Sequence, residues 1–180
     1  MKKTVLCLVI LLSVSCIASF PRFPSLRKHV DPFYNYDDSM APGSRFPLIS
    51  PLDVRRDSPS SPWNLGLGNT IWIDIPNSDA VYGYSRVVEL EKFAVKNGVI
   101  LAYSSYVDTE ADTYMQKNFY HWFVTVPDKN ITKGFQTEDE FNQYIQTLGI
   151  QNPDWQMPDE AFDKYFETGC LEWIPDCDEQ

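Results

Sequence analysis

The sequence lacks the short motifs that mark many catalytic and nucleotide-binding sites. It contains no Gly-rich phosphate loop, no Gly-x-Ser-x-Gly elbow and no His-Glu-x-x-His pair. Histidine, the usual general base near neutral pH, occurs only twice in 180 residues. One of the two, His121, lies in an apolar strand pattern that favours a structural role over catalysis. We therefore predict no catalytic residue and no cofactor, and a non-enzymatic protein is the favoured interpretation.

Complete metal-binding patterns are missing as well. Asp108, Glu110 and Asp112 are spaced like the first ligands of a calcium loop. Such a loop needs Gly at its sixth position and Glu at its twelfth, where this chain has Thr113 and Phe119. Hence we expect a solvated acidic loop here, and no metal site.

Long hydrophobic runs are also absent. The apolar stretch at residues 5–14 is too short to cross a hydrocarbon core of about 30 Å as a helix. It follows Lys2 and Lys3, however, and has the length of a signal-peptide core. The sequence therefore predicts an exported protein.

Two routes of signal processing are open. Cleavage after Ala18 would remove residues 1–18 and give a secreted or periplasmic protein. Alternatively Cys16 would be acylated and residues 1–15 removed, which leaves a lipoprotein on the outer face of a bacterial membrane. The second route is favoured, because a Cys directly behind the apolar stretch is what an anchored protein needs.

Cysteine is scarce, with four in the whole chain. Cys7 lies in the signal and Cys16 at its processing site, so only Cys170 and Cys177 remain for the mature domain. In an oxidising compartment this pair is most simply a disulfide that closes a small loop over residues 171–176. A redox or metal-binding pair is the less favoured alternative, because redox motifs have two residues between the cysteines and metal sites have four ligands.

Residues 19–62 have the composition of an extended tether. Eight of the 13 prolines lie between residues 20 and 62, where six Lys or Arg nearly balance five Asp. Proline at this density leaves no room for a useful helix. The segment is also aromatic, so partial docking on the domain is favoured over free disorder. The residues concerned are Phe20, Phe23, Phe33, Tyr34, Tyr36 and Phe46.

Residues 63–180 are expected to form a single acidic α+β domain. Apolar runs with strand patterns occupy residues 70–75, 81–96, 99–107 and 119–126. Asn97-Gly98 joins the second run to the third and is the strongest short signal for a type I′ hairpin, which we expect to be covered on two sides. The last run is apolar on both faces and is expected to be central. These patterns predict a small antiparallel sheet of about four or five strands.

Two short helices are predicted near the C-terminus. Thr137 and Glu140 form a capping box. Apolar residues then recur at helical spacing, and Gly149 supplies a left-handed stop. A second helix is indicated by Pro158 in its first turn and by Gly169 at its end.

Residues 119–145 carry a recurrent structural pattern. A strand ends in Val-Thr-Val, a polar turn contains Asp-Lys-Asn, a short return reads Ile-Thr-Lys-Gly-Phe, and a helix starts with Thr-Glu-Asp-Glu-Phe. This arrangement resembles the C-terminal pattern of small uncharacterised bacterial lipoproteins. The resemblance implies no activity, so it assigns no functional residue.

Charge gives the clearest indication of a partner. Residues 63–180 hold seven Lys or Arg and 20 Asp or Glu, a balance of 7 − 20 = −13. Nucleic acid is therefore disfavoured, and a basic protein or peptide is favoured. The expected partner surface combines tryptophans with acids of the C-terminal part: Trp155, Glu160, Glu167, Glu172, Trp173 and Asp176.

Three classes of function result. The favoured one is a non-enzymatic, exported and membrane-anchored protein that binds another macromolecule. An immunity or inhibitor-type protein that captures a basic partner is the first alternative. The second is an extracytoplasmic enzyme, which would need a polar cleft around Asp74, Glu89 or His121.

Overall fold

In the computed structural model, residues 29–35, 44–74, 81–106 and 120–177 are described. Among them, the strands are β1 (Ser44–Pro47), β2 (Asp53–Arg56), β3 (Asn64–Asp74), β4 (Val81–Val87), β5 (Lys92–Lys96), β6 (Val99–Tyr103), β7 (Trp122–Val126) and β8 (Ile131–Phe135). The helices are α1 (Glu138–Thr147) and α2 (Pro158–Thr168).

The strands form two four-stranded antiparallel sheets within the described residues. Sheet A has the order β1-β2-β3-β4, and sheet B has the order β5-β6-β7-β8. The predicted α+β class, with antiparallel strands and two helices near the C-terminus, is confirmed. The strands are more numerous than the four or five expected, because sheet A begins in the Pro-rich segment.

Half of sheet A comes from the segment that the sequence predicts as a tether. β1 and β2 pair with Phe46 opposite Val54, and both side chains are fully buried. The prolines are accommodated because Pro47 ends β1 and Pro51 lies in the turn before β2. The structure thus corrects the expected domain boundary, since the folded part extends N-terminal of Pro62.

Residues 29–35 also pack on the fold. Tyr34 is buried in the core, and its carbonyl accepts a hydrogen bond of 2.7 Å from the Tyr165 hydroxyl of α2. The partial docking expected of the aromatic segment is therefore found in this stretch. The predicted signal, Cys7, Cys16 and the tether residues 19–28 and 36–43 lie outside the described residues.

The apolar run at residues 81–96 is divided between the two sheets. β4 ends at Val87 and β5 begins at Lys92. Between them Glu89 has a φ of 53°, a left-handed conformation that a regular strand does not contain. The chain leaves sheet A and enters sheet B here. Periodicity alone does not reveal this break, because both halves of the run alternate in the same way.

Sheet B is built on the predicted hairpin. Asn97 and Gly98 have φ of 54° and 75°, as a type I′ turn requires. The resulting register places Val95 opposite Ile100. β7 lies between β6 and β8, and all five of its side chains are buried. The hairpin and the interior position of this strand are confirmed.

Two hydrophobic clusters lie on opposite faces of sheet B. Alternate residues of β7 point to opposite sides, so Phe123 joins one cluster while Trp122 and Val124 join the other. The first cluster combines sheet A, sheet B and α2 and includes Phe46, Leu65, Phe93, Phe123, Tyr165 and Leu171. The second lies under α1 and includes Ala94, Leu101, Trp122, Val124, Phe141 and Ile145. The hairpin is therefore covered on both sides, as expected.

Both helices begin and end at the predicted signals. Thr137 Oγ1 accepts a hydrogen bond from the Glu140 N–H, and the Glu140 carboxylate accepts one from the Thr137 N–H, which completes the capping box. Gly149 and Gly169 have φ of 74° and 70° behind the two helices. None of the helices in the described part of the chain is long and apolar enough to cross a membrane.

Replacing Phe46 tests whether the Pro-rich segment is part of the core. Its ring lies 5.5 Å from Trp63 and 5.5 Å from Phe93. Phe46→Ala should lower the free energy of unfolding by about 3–5 kcal/mol, because it leaves a cavity between the sheets. Denaturant unfolding followed by Trp fluorescence measures this loss. Val30→Ala, at a side chain 92% exposed, is the control. A loss below about 1 kcal/mol for Phe46→Ala would contradict the assignment.

Candidate functional site

The acids predicted to bind a partner lie on α2 and in the loop behind it. Glu160, Glu167, Glu172 and Asp176 are all exposed. Glu160 and Glu167 are seven residues apart and therefore share one face of the helix, and Asp163 lies between them on the same face. We call Glu160, Asp163 and Glu167 the acidic stripe. The opposite face, with Ala161 and Tyr165, is buried in the first cluster.

Neighbouring charges do not neutralise the acidic stripe. Lys164, the one basic residue of α2, lies four residues after Glu160 and three before Glu167, but its ammonium group pairs with Glu172 at 3.5 Å. Arg56 pairs at 2.9 Å with Asp159, which also accepts a hydrogen bond from the Trp63 indole. Among the described residues, no ion pair reaches the stripe itself. The sequence contains the helical spacing of the stripe, but the periodicity of apolar residues alone does not reveal that Asp163 shares this face.

The two tryptophans predicted for the partner surface are partly buried and pack against the core. The Trp173 ring packs edge-to-face against Phe93 at 5.6 Å, and its indole N–H donates to the Pro47 carbonyl at 3.0 Å. Trp155 packs against the second cluster, 5.8 Å from Trp122. Each is partly buried and belongs to a different cluster. The structure does not bring them together, and both have packing roles.

Lys92 is surrounded by three aromatic rings, an arrangement that the sequence does not predict. Lys92 Nζ lies 4.9 Å from the ring centroid of Tyr103, 5.0 Å from Trp122 and 4.9 Å from Trp155. The rings come from β6, β7 and the segment between the helices, so only tertiary structure assembles them. Partial burial, reinforced by the negative charges of Glu91 and Glu138, raises the pKa of Tyr103 and keeps its hydroxyl protonated. The site holds a cation from within the chain.

Cys170 and Cys177 lie within disulfide distance, with their Cα atoms 5.6 Å apart. This geometry agrees with the predicted pair. Cys170 follows Gly169, which ends α2, so the bridge fixes the last turn of the chain against a helix terminus. Ile174 inside the loop is buried in the first cluster, and the loop is therefore packed as well as closed.

His29 lies beside this bridge. Its side chain is 5% exposed, and its Nε2 lies 2.7 Å from the Gly169 carbonyl oxygen. One ring nitrogen of His29 and the two sulfurs of Cys170 and Cys177 are all within 4.8 Å of one another. The sequence does not predict this cluster, because His29 lies in the segment expected to be a tether and is 140 residues from Gly169.

Of the residues considered for an enzyme, His121 has a local structural partner. His121 Nδ1 lies 2.9 Å from the Ser104 carbonyl oxygen. Glu91 accepts a hydrogen bond of 2.8 Å from the Ser105 N–H. Glu89 is exposed where the chain passes from sheet A to sheet B. The side chain of Asp74 and the acidic loop with Asp108, Glu110 and Asp112 lie outside the described parts.

A small recess opens between the two sheets. It is lined by residues of the β1–β2 turn, β3 and the β7–β8 connection, among them Leu52, Leu67, Asn69 and Asn130. Its volume of about 110 Å³ is below the several hundred cubic ångströms of ordinary small-molecule sites. It offers no reactive group, since the lining is apolar apart from amide, hydroxyl and backbone groups.

Removing the charge of Lys92 tests what the three rings contribute. Lys92→Met keeps the length and apolar stem but loses the cation, so the free energy of unfolding should fall by about 1–2 kcal/mol. Chemical denaturation measures the change. Lys96→Met, at an exposed position of the same strand, is the matched control and should stay within about 0.5 kcal/mol of the parent. Equal stabilities for the two variants would show that the rings do not stabilise the cation.

Comparisons of the chain with protein-family models, with curated proteins and with solved structures find no match. The resemblance to small bacterial lipoproteins therefore stays a prediction. The functional argument rests on the residues of this chain alone.

Proposed function

We propose that this protein is an exported, non-catalytic domain, anchored by a lipid on Cys16, that binds a basic segment of another protein through the acidic stripe. The observation that supports the proposal is the stripe itself. Three exposed carboxylates stand on one face of α2, and no described cation pairs with them.

The acidic stripe contains unfavourable interactions, although Glu160 itself suits the positive N-terminal end of α2. Like charges three or four residues apart destabilise a helix by about 0.2–0.5 kcal/mol per pair. Glu160 and Asp163 are such a pair, and so are Asp163 and Glu167. Glu167 also lies in the last turn, which contains no basic residue and where the helix dipole disfavours negative charge. A bound cationic segment would relieve all three effects at once.

The spacing of the stripe suits a partner of defined shape. From Glu160 to Glu167 the carboxylates span about 10 Å along the helix axis. Lys or Arg side chains at positions i, i+3 and i+7 of a partner helix have the same spacing. The overall charge of −10 would speed encounter with a basic partner at low ionic strength and do so less at high salt.

Neutralising the stripe should weaken binding while it leaves the stability of the fold nearly unchanged. The variant carries Glu160→Gln, Asp163→Asn and Glu167→Gln. The probe is a labelled synthetic helical peptide with Lys at i, i+3 and i+7. We expect about a tenfold loss of affinity at low salt and a stability within about 0.5 kcal/mol of the parent, because the relieved repulsion is offset by the loss of the Glu160 charge at the helix N-terminus. Fluorescence anisotropy measures binding, and thermal unfolding measures stability.

The control removes three charges elsewhere. Asp57→Asn, Glu89→Gln and Asp128→Asn alter exposed acids outside α2 and change the net charge by the same amount. This variant should keep most of the affinity for the peptide. A second peptide with the same lysines distributed around its helix should bind the parent protein more weakly. If both triple variants lose affinity equally, net charge alone drives binding and the stripe is not the site.

The anchor can be tested separately by changing Cys16. In a bacterial host the parent chain should fractionate with membranes, whereas Cys16→Ala should appear in the soluble extracytoplasmic fraction, because one residue carries the lipid. Cys7→Ala is the control and should stay with the membrane. Intact-mass analysis distinguishes an acylated Cys16 from cleavage after Ala18. If Cys16→Ala fractionates with membranes like the parent chain, the proposed lipid anchor is wrong.

A further inference from the structure

The position of His29 fixes which of its ring nitrogens can act as a ligand. Its Nε2 lies 2.7 Å from the carbonyl oxygen of Gly169. A carbonyl only accepts hydrogen bonds, so Nε2 carries the proton and Nδ1 carries the lone pair. This arrangement is the one that orients a metal-binding histidine, whose second nitrogen donates to a carbonyl or carboxylate.

Nδ1 of His29 is buried without a hydrogen-bond partner among the described residues. The side chain is 5% exposed. A buried lone pair that accepts no hydrogen bond has lost its hydrogen bond to water without a replacement. The bond to the Gly169 carbonyl explains the Nε2 side of the ring, but no described residue accounts for the buried lone pair on Nδ1.

The groups beside the imidazole are the two sulfurs. One ring nitrogen of His29 and the sulfurs of Cys170 and Cys177 all lie within 4.8 Å of one another. Ligands of one zinc ion lie roughly 3.3–3.8 Å apart, given bond lengths of about 2.0 Å to nitrogen and 2.3 Å to sulfur. Once the disulfide is reduced, the two sulfurs can move apart to that spacing, and the imidazole would approach them by up to about 1 Å. Thiolates and imidazole together are a donor set for Zn²⁺ or Cu⁺.

We propose that reduction of the Cys170–Cys177 disulfide turns this cluster into a site for a thiophilic metal ion, held by both thiolates and by Nδ1 of His29. A dithiol reductant transfers two electrons and two protons, so the S–S bond breaks, two thiols form and the reductant becomes a disulfide. The metal then displaces both thiol protons. The neutral imidazole releases none, because its Nδ1 lone pair is already available.

The two candidate ions complete the site differently. Zn²⁺ would keep a fourth position for water, as in sites with three protein ligands. Cu⁺ is a softer ion that suits the thiolates. In either case the metal keeps residues 29–35 attached to the C-terminal loop after the disulfide is lost. The cluster would thus hold a covalent link between Cys170 and Cys177 under oxidising conditions and a metal link among all three residues under reducing conditions.

The test uses the full chain with Cys7→Ser and Cys16→Ser, so that Cys170 and Cys177 supply the only thiols. After reduction with a phosphine, Co²⁺ serves as a spectroscopic probe. One equivalent should produce thiolate-to-cobalt charge-transfer absorption, which the oxidised chain should not show. Added Zn²⁺ should abolish the bands, and competition with chromophoric chelators then gives the affinities for Zn²⁺ and Cu⁺ in separate arms.

Variants decide whether His29 is a ligand. His29→Gln should bind Zn²⁺ and Cu⁺ at least about tenfold more weakly than the parent. His121→Gln, which changes the chain's other histidine, should bind like the parent. Equal metal affinity for His29→Gln and the parent would overturn the assignment, as would a reduced chain that binds neither ion.

A structural readout keeps the test decisive if reduction loosens the fold. Circular dichroism of the reduced chain is recorded with and without metal. Metal should restore any lost signal and protect both cysteines from alkylation, in the parent but not in His29→Gln. A loss of structure that neither ion reverses would count against the site, because a formed site must stabilise the folded state.

Discussion

Sheet B is apolar on both of its faces, and this constraint accounts for the placement of nearly every other described element. Antiparallel sheets commonly leave one face to water, yet β7 is buried throughout and β6 almost so. α1 covers one face with Phe141 and Ile145. The other face needs a second layer, which sheet A, α2 and the C-terminal loop provide. The Pro-rich segment is folded because its strands β1 and β2 bury apolar side chains against this face.

Charge pairing holds that second layer together. Asp53 is 6% exposed and pairs with Arg45 at 2.5 Å and with Arg55 at 2.8 Å. The Arg45 guanidinium also lies over the Phe33 ring at 4.9 Å and donates to the Phe33 carbonyl. One arginine therefore connects β1, β2 and residues 29–35. Removing Asp53 would leave both arginines without this partner, whereas removing either arginine leaves Asp53 paired with the other.

Sequence reasoning succeeded wherever the cause of a structure lies within a few residues. The Asn97-Gly98 turn, the capping box at Thr137 and the glycine behind each helix all have local causes. It failed for β1 and β2, because prolines at strand ends and turns give the same composition as an extended tether. The exposed acids of α2 follow from helical periodicity. The rings around Lys92 and the contact of His29 with Gly169, 140 residues away, exist only after long-range packing.

The docked N-terminal segment changes what a lipid anchor at Cys16 would do. A tether running to Pro62 would let the domain stand about 160 Å from the membrane. With His29 held against the end of α2, only residues 17–28 separate the anchor from the fold, and they span at most about 45 Å. The acidic stripe lies on that same helix. A short link would therefore restrict the stripe to partners close to the membrane, and a long tether would not.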